Sequence, residues 1–296
     1  MKSFPHLPCR MFTFALMVIV GCSFGCSNNK WSKNGADQRI EAPTFRGSVP
    51  DEPGKAGALR ASQFIFHSDV PINPNSPLIQ ELSELREQVF RELRLPPSNN
   101  LVNIYLFSDR AGYENYMSHH YNGYPLRRAF FVKKKRTAGA DPELMVYVYH
   151  SEKIRQDLRH EVTHALLHST LKSVPIWLDE GLAEYYELPD AAHGNNVNHL
   201  FELAHQQAGA NLPELESLST VDQMGRLQYQ QSWAWVHWML RGNEKAKNIL
   251  LSYLREFQDE DFNGQLWPRL KTHVPDALPH FRQHMTLMYQ SQTVGR

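Results

Sequence analysis

Residues 160–164 read His-Glu-Val-Thr-His, and residues 175–186 read Pro-Ile-Trp-Leu-Asp-Glu-Gly-Leu-Ala-Glu-Tyr-Tyr. The spacing of apolar residues around these stretches predicts helices over about 153–170 and 176–187. On a helix, residues four apart lie on one face, so His160 and His164 can present both imidazoles to one metal ion. Glu161 lies about 100° further round the helix, where it can reach a water molecule beside the ion without being a ligand.

The two stretches together resemble the gluzincin (peptidase MA-like) metallopeptidases, in which H-E-x-x-H is followed by a W-L-x-E-G-x-A-x-Y helix. The resemblance covers about residues 60–255 and is closest to a group of uncharacterised bacterial extracytoplasmic proteins. It implies a Zn²⁺ site with Glu180, the glutamate before glycine, as the third ligand beside His160 and His164. It also implies that an acidic residue at Glu184 hydrogen-bonds a ligating histidine, as such partners do in many metal sites.

The same resemblance implies zinc-dependent hydrolysis of peptide bonds. Glu161 would take a proton from a zinc-bound water, and Tyr229, in the downstream helical region, would be a second donor to the oxyanion; the alternative is that Tyr229 only packs. An endopeptidase is favoured because no G-x-M-E-N-type exopeptidase motif is present. Two other hypotheses are an inactive zincin-fold module that binds peptides or cell-envelope components, and a metal-stabilised interaction module; the intact Glu161 argues against a pure binder.

Metzincins are a poorer match, because the positions of their required glycine and third histidine are occupied by Leu167 and Thr170. His168, one turn beyond His164, is expected on the helix surface rather than at the metal. Asp179 is expected to point away from the site and to favour only the N-terminus of its helix.

The first residues predict export. Lys2 and Arg10 precede an apolar run over 11–21, which at about 11 residues is too short to span a bilayer and fits a signal peptide, 1–21. Ile-Val-Gly-Cys at 19–22 resembles a bacterial lipobox, which implies lipid on Cys22 and a membrane-anchored protein in the periplasm or on the cell surface. Cys26 fits the box poorly, and the alternative is a plain signal peptide and a secreted protein. Residues 22–59 are polar and are interpreted as a flexible tether.

Composition excludes some functions. Lys and Arg (31) equal Asp and Glu (31), so net charge gives no indication of nucleic-acid binding. The expected partner, a peptide or protein substrate, is what the family resemblance implies. The three cysteines, Cys9, Cys22 and Cys26, all precede the folded part. That part therefore has no disulfide, no cysteine-ligated zinc and no cysteine nucleophile.

The order of the elements predicts an α+β fold. Strands are expected at 63–67, 101–107, 129–133 and 144–149, and helices at 77–93, 110–121, 153–170, 176–187, 196–208, 228–241, 243–257 and 278–290. The expected architecture is zincin-like: a small, mainly antiparallel sheet packed on the active-site helix, then a helical C-terminal subdomain. The metallopeptidase domain is assigned to 60–258 and a C-terminal helical extension to 259–296.

Three further expectations concern surfaces and core. By the same resemblance, the strand at 144–149 would be an edge strand that pairs with extended substrate; the alternative is a strand internal to the sheet. The basic run Lys133–Arg136 is interpreted as a solvated hairpin turn. Trp233, Trp235 and Trp238 are interpreted as core residues rather than a ligand cage.

Overall fold

A computed structural model describes residues 53–54, 57–121, 127–135, 141–206 and 211–293. The predicted signal peptide, the lipidation site Cys22 and most of the tether lie outside these residues. Within them, no helix combines the length and the apolar character needed to cross a membrane.

The α+β class is confirmed: five strands form one sheet, and most of the other described residues are helical. The strands are β1 (Ala58–Ala61), β2 (Phe64–Ser68), β3 (Val102–Phe107), β4 (Ala129–Lys134) and β5 (Glu143–Tyr149). The helices are α1 (Pro77–Leu93), α2 (Arg110–His120), α3 (Ile154–Thr170), α4 (Ile176–Tyr186), α5 (Val197–Gln206), α6 (Leu212–Glu216), α7 (Arg226–His237), α8 (Glu244–Glu256), α9 (Trp267–His273) and α10 (Ala277–Thr293). A π-helical turn, Trp238–Gly242, extends α7. The elements that had not been predicted are β1, α6 and α9.

The sheet is mixed, so the expectation of a mainly antiparallel sheet was wrong. Its order is β1-β2-β3-β5-β4. The pairs β2–β3 and β3–β5 are parallel, and the outer pairs β1–β2 and β4–β5 are antiparallel. Parallel neighbours need a crossover connection, and α1 provides one between β2 and β3.

Strand β5 lies inside the sheet, so the expectation of an edge strand at 144–149 was wrong and the internal alternative was right. Its two neighbours are β3 and β4. Strand β4 is one of the two edges of this five-stranded sheet, because among the described strands it pairs only with β5. The outer strand at this end of the sheet is therefore β4, not β5.

Alternate residues of the strands face two different layers. On one face, apolar side chains such as Ile104, Phe131 and Val146 join the main core with α1 and α3. On the other face, Phe130, Met145 and Tyr147 form a smaller aromatic cluster with α2. Helix α3, which carries the His-Glu-Val-Thr-His motif, is therefore covered by the sheet on one side.

The C-terminal helices complete the main core. Trp233, Trp235 and Trp238 are fully buried, which confirms that they are core residues. The ring of Phe281, on α10, stacks on Trp235 with a centroid distance of 4.3 Å. The extension predicted at 259–296 thus packs on the helices that follow the metal-ligand motif.

Candidate metal site

Two helices supply the candidate ligands. His160 and His164 lie on α3 and Glu180 on α4, and all three side chains have 0% exposure. One ligand atom from each lies within 4.8 Å of the other two. The structure therefore brings together the three residues that the sequence singled out as ligands.

The spacing of the donor atoms suits a small cation. Oε2 of Glu180 lies 3.5 Å from Nε2 of His160 and 3.6 Å from Nε2 of His164. Tetrahedral donors about 2.1 Å from one zinc ion are separated by about 3.4 Å. Both distances from Glu180 to the histidines therefore fit a shared metal ion, and the ligand atoms of the two histidines lie within 4.8 Å of each other.

The electrostatics of the cluster favour positive charge. Burial alone lowers the pKa of His160, but Glu180 and Glu187 outweigh burial and raise that pKa well above its ordinary value. For His164, burial is likewise outweighed, by Asp179 and Glu180, and its pKa rises to about 10. The pKa of Glu180 is lowered, because the two imidazoles outweigh the effect of its burial. A bound cation would be stabilised by the same carboxylates.

Glu161 lies beside the ligands but accepts no hydrogen bond from the described residues. Its side chain has 0% exposure, and within the described part of the chain neither carboxylate oxygen has a hydrogen-bond partner. Burial raises its pKa, while the charges of His160 and His164 act against that rise. An unpaired buried carboxylate is costly, and such costs are concentrated at functional sites. With its raised pKa, this carboxylate is suited to accept and return a proton.

Asp179 faces the site, so the expectation that it points away was wrong. It is 1% exposed, and its Oδ1 lies 3.0 Å from Nδ1 of His164. Because Nε2 of His164 faces Glu180, Asp179 contacts the other ring nitrogen. A carboxylate in this place orients the ring and increases its basicity as a ligand.

On the other histidine, the corresponding contact comes from Glu187. Its Oε2 lies 3.4 Å from Nδ1 of His160. Glu184 accepts a hydrogen bond from Nε2 of His199 at 2.7 Å, although one of its oxygens lies within 4.8 Å of ligand atoms of His160 and Glu187. The hydrogen bond expected between Glu184 and a ligating histidine stays a prediction.

A buried arginine fixes the end of α4 on α3. Arg159 donates to the carbonyl oxygens of Tyr186 at 3.0 Å and Leu188 at 2.6 Å. A cation at a helix C-terminus satisfies carbonyl groups that have no partner in the helix. This contact holds Glu187, which lies between the two carbonyl groups along the chain, close to His160.

The edge strand β4 is attached to α3 at two places. Arg128 makes two hydrogen bonds to the buried carboxylate of Asp157, at 2.8 and 2.7 Å. The Phe131 ring stacks on the imidazoles of His164 and His168, with centroid distances of 6.1 and 5.7 Å. The strand therefore lies against the turn of α3 that carries the second histidine.

This packing overturns two expectations about polar residues. His168 is 3% exposed rather than a surface residue, because it shares a helix face with His164 and β4 covers that face. Lys133 is 8% exposed and belongs to β4, so the basic run does not begin as a solvated turn. Burial lowers the pKa of Lys133 to about 8. Arg136, the end of that run, lies outside the described residues.

Tyr229 lies in the first turns of α7 and is buried. Its ring belongs to a small apolar cluster with Met224, Ile176 and Leu218. This packing connects α7 with the start of α4. The catalytic role expected from the family resemblance stays a prediction.

No protein-family model and no curated protein matches this chain. Its functional assignment therefore depends on the motif and on the geometry of the cluster formed by His160, His164 and Glu180.

Proposed function

We propose that this protein is a zinc-dependent peptidase of the zincin type, with His160, His164 and Glu180 as the zinc ligands. The observation that carries the proposal is the convergence of these three buried donors beside the unpartnered carboxylate of Glu161. Two histidines and one glutamate are a ligand set found in catalytic zinc sites, where a fourth position stays open.

The proposed chemistry assigns a proton-transfer role to Glu161. When bound, zinc supplies a Lewis acid that activates water near neutral pH and polarises a carbonyl group. Glu161 would accept the proton of the attacking water and pass it to the leaving amine. Its burial supports this role, because a raised pKa brings the carboxylate closer to the pH at which it works.

Strand β4 supports a peptide as the substrate. It is an edge of the sheet, and it lies against the part of α3 that carries the ligands. An extended peptide can add to such an edge through main-chain hydrogen bonds. A substrate bound in this way would run past the metal-ligand cluster, as an endopeptidase requires.

Tyr229 is the proposed second donor to the oxyanion. The substitution Tyr229→Phe retains the ring that packs with Met224 and removes only the hydroxyl group. We expect kcat to fall by about 100-fold with KM little changed, which is the usual cost of losing one such donor. An unchanged kcat would assign Tyr229 to packing alone.

We further propose that the protein acts outside the cytoplasm, tethered to a membrane by lipid on Cys22. The signal-like run at 11–21 and the lipobox-like residues at 19–22 support this location. Labelling with a fatty-acid probe should be lost in Cys22→Ser and retained in Cys26→Ser. Equal labelling of Cys22→Ser and wild type would contradict lipidation at Cys22.

Zinc content is the direct test of the site. The purified full-length chain, dialysed without chelator, should contain about one zinc ion per molecule by mass spectrometry. His160→Ala should lose that zinc, while the matched variant His205→Ala, at an exposed helix position, should retain it. A folded wild-type protein that binds no zinc even after zinc is added would overturn the proposal.

Cleavage of a peptide pool separates an enzyme from a binding module. Wild type should cleave, and Glu161→Gln should bind zinc equally well and fail to cleave, because the amide cannot accept the proton. Zinc binding by both proteins with cleavage by neither would favour the alternative, an inactive module for peptides or cell-envelope components.

A further inference from the structure

Lys133 is a buried cation next to the proposed zinc site. Residues 129, 131 and 133 of β4 point to the same side of the sheet, so Lys133 faces α3 together with Phe131. Its Nζ donates to the carbonyl oxygen of Lys172 at 2.9 Å and lies 3.3 Å from Nδ1 of His168. The adjacent Lys134 points to the opposite side and is exposed.

A chain of polar contacts leads from Lys133 to a zinc ligand. Nε2 of His168 lies 3.1 Å from Oδ2 of Asp179. The other carboxylate oxygen, Oδ1, lies 3.0 Å from Nδ1 of His164. These four residues, Lys133, His168, Asp179 and His164, are called the relay below, and all four are buried.

Hydrogen-bond chemistry gives the relay one consistent direction. A lysine ammonium group can only donate, so Nδ1 of His168 must accept from Lys133. A neutral His168 then carries its proton on Nε2 and donates it to Asp179. The negative charge of Asp179, whose Oδ1 is in ion-pair contact with Nδ1 of His164, favours a hydrogen on that nitrogen and leaves the lone pair on Nε2 facing Glu180, where the metal would bind.

The opposite tautomer of His168 is disfavoured at both ends. It would place an N–H group against the ammonium of Lys133 and a lone pair against the carboxylate of Asp179. Phe131 covers both imidazole rings, so neither ring can turn to water for another partner. Lys133, the donor at the end of the relay, therefore determines which ring nitrogen of His168 carries the hydrogen. Through Asp179 it also influences the position of the hydrogen on His164.

We propose that Lys133 is a positioning residue that acts through His168 and Asp179 to fix the tautomer and orientation of the zinc ligand His164. This inference rests on the proposed zinc function, since its purpose is a correctly presented Nε2. It does not require Lys133 to touch zinc or substrate.

The first test compares Lys133→Met with Lys134→Met. Methionine keeps most of the apolar stem of lysine and removes the donor, whereas the second variant makes the same change at an exposed residue of β4. In chelator competition, we expect Lys133→Met to bind zinc about 10-fold more weakly and Lys134→Met to bind like wild type. Equal zinc affinity of folded Lys133→Met and wild type would overturn the proposal.

A double-mutant cycle excludes a purely structural effect. In His168→Gln the path from Lys133 to Asp179 is interrupted, so adding Lys133→Met should change zinc affinity no further. If the two losses of affinity simply add, Lys133 acts independently of His168 and the proposal is wrong. Thermal unfolding of all variants identifies any that fail to fold, and the cycle can then use Lys133→Gln in place of Lys133→Met.

Imidazole nitrogen NMR of the metal-free protein gives a readout that does not depend on zinc. We expect His168 to carry its proton on Nε2 in wild type and in Lys134→Met, and to populate both tautomers in Lys133→Met. If wild type binds no zinc, the proposed function fails while this spectrum still tests the relay. An unchanged His168 tautomer in Lys133→Met would contradict the relay even if zinc binds.

Discussion

A Cβ atom on Gly181 would lie 2.7 Å from the carbonyl oxygen of Ser232, a distance that real Cβ atoms do not reach. The backbones of α4 and α7 therefore approach each other at the residue that follows the proposed ligand Glu180. The glycine of the Glu-Gly pair is required by this close approach rather than by an unusual backbone conformation. Because the obstacle is backbone, it cannot move aside as a flexible side chain would.

Gly181→Ala should therefore destabilise the protein. Overpacking at a rigid contact typically costs 1–3 kcal/mol, and we expect a loss of about 2 kcal/mol in the free energy of unfolding. Urea denaturation of the metal-free protein measures it. Gly112→Ala in α2 is the control, because its Cβ would meet ordinary contacts at 3.6 and 4.0 Å, and it should be neutral or stabilising. Equal stability of the two variants would contradict the steric explanation.

Glu187 should contribute more to zinc affinity than Glu184. Glu187 contacts Nδ1 of His160 at 3.4 Å, whereas Glu184 pairs with His199 at 2.7 Å. Losing a carboxylate behind a ligating histidine typically weakens metal binding by about 10-fold or more, which we expect for Glu187→Gln. Glu184→Gln should have a smaller effect in the same chelator competition. The reverse order would support the role that the family resemblance assigns to Glu184.

Local geometry predicted that the two histidines of the candidate site lie together, and the family resemblance singled out its glutamate. His160 and His164 share a helix face at any orientation of α3, and the Glu-Gly pair in α4 marks Glu180. The contacts of Asp179, His168 and Lys133 could not be predicted in the same way. They depend on β4 covering one face of α3, which is a tertiary contact between segments far apart in the chain.

The order of strands in the sheet also could not be predicted from local sequence patterns. Alternation and β-branched residues located β3, β4 and β5 to within about one residue, but they do not encode which strands become neighbours. The antiparallel expectation failed because β3 pairs in parallel with both β2 and β5, and those pairings depend on how the crossover connections return the chain. The short strand β1 gave no pattern strong enough to be recognised.

Glu161→Gln should stabilise the metal-free protein. The carboxylate is fully buried, without a hydrogen-bond partner among the described residues, and burial raises its pKa. Burial disfavours the charged form of this side chain, a cost that a neutral amide of the same size does not have, and we expect a gain of about 1 kcal/mol in the free energy of unfolding at pH 7. Denaturation in the presence of a chelator measures the difference. A less stable Glu161→Gln would show that the charge is compensated within the fold.

Stability at acidic pH should depend on a histidine pair away from the zinc site. Nε2 of His237 lies 2.9 Å from Oδ1 of Asn195, and its Nδ1 lies 2.9 Å from Nε2 of His284. Nε2–H therefore donates to Asn195, and Nδ1 accepts from His284, so His237 is neutral. Burial, followed by repulsion from His284 and Arg241, lowers the pKa of His237 to about 3.

The sign of the effect follows from proton binding. Between the unfolded pKa of about 6.5 and the folded value of about 3, the unfolded chain binds a proton on His237 that the folded protein does not. The contribution of neutral His237 to the free energy of unfolding is therefore present in full well above pH 6.5. It is lost as the pH falls from about 6.5 toward 3. From pH 6.5 to pH 5, the contribution of His237 to the free energy of unfolding should fall by about 1.6 kcal/mol. His237→Gln cannot take up that proton, so its stability should fall by that much less over the same range in urea denaturation of the metal-free protein. Because all other titrating groups are shared by both proteins, parallel pH profiles would mean that His237 is already protonated in the fold.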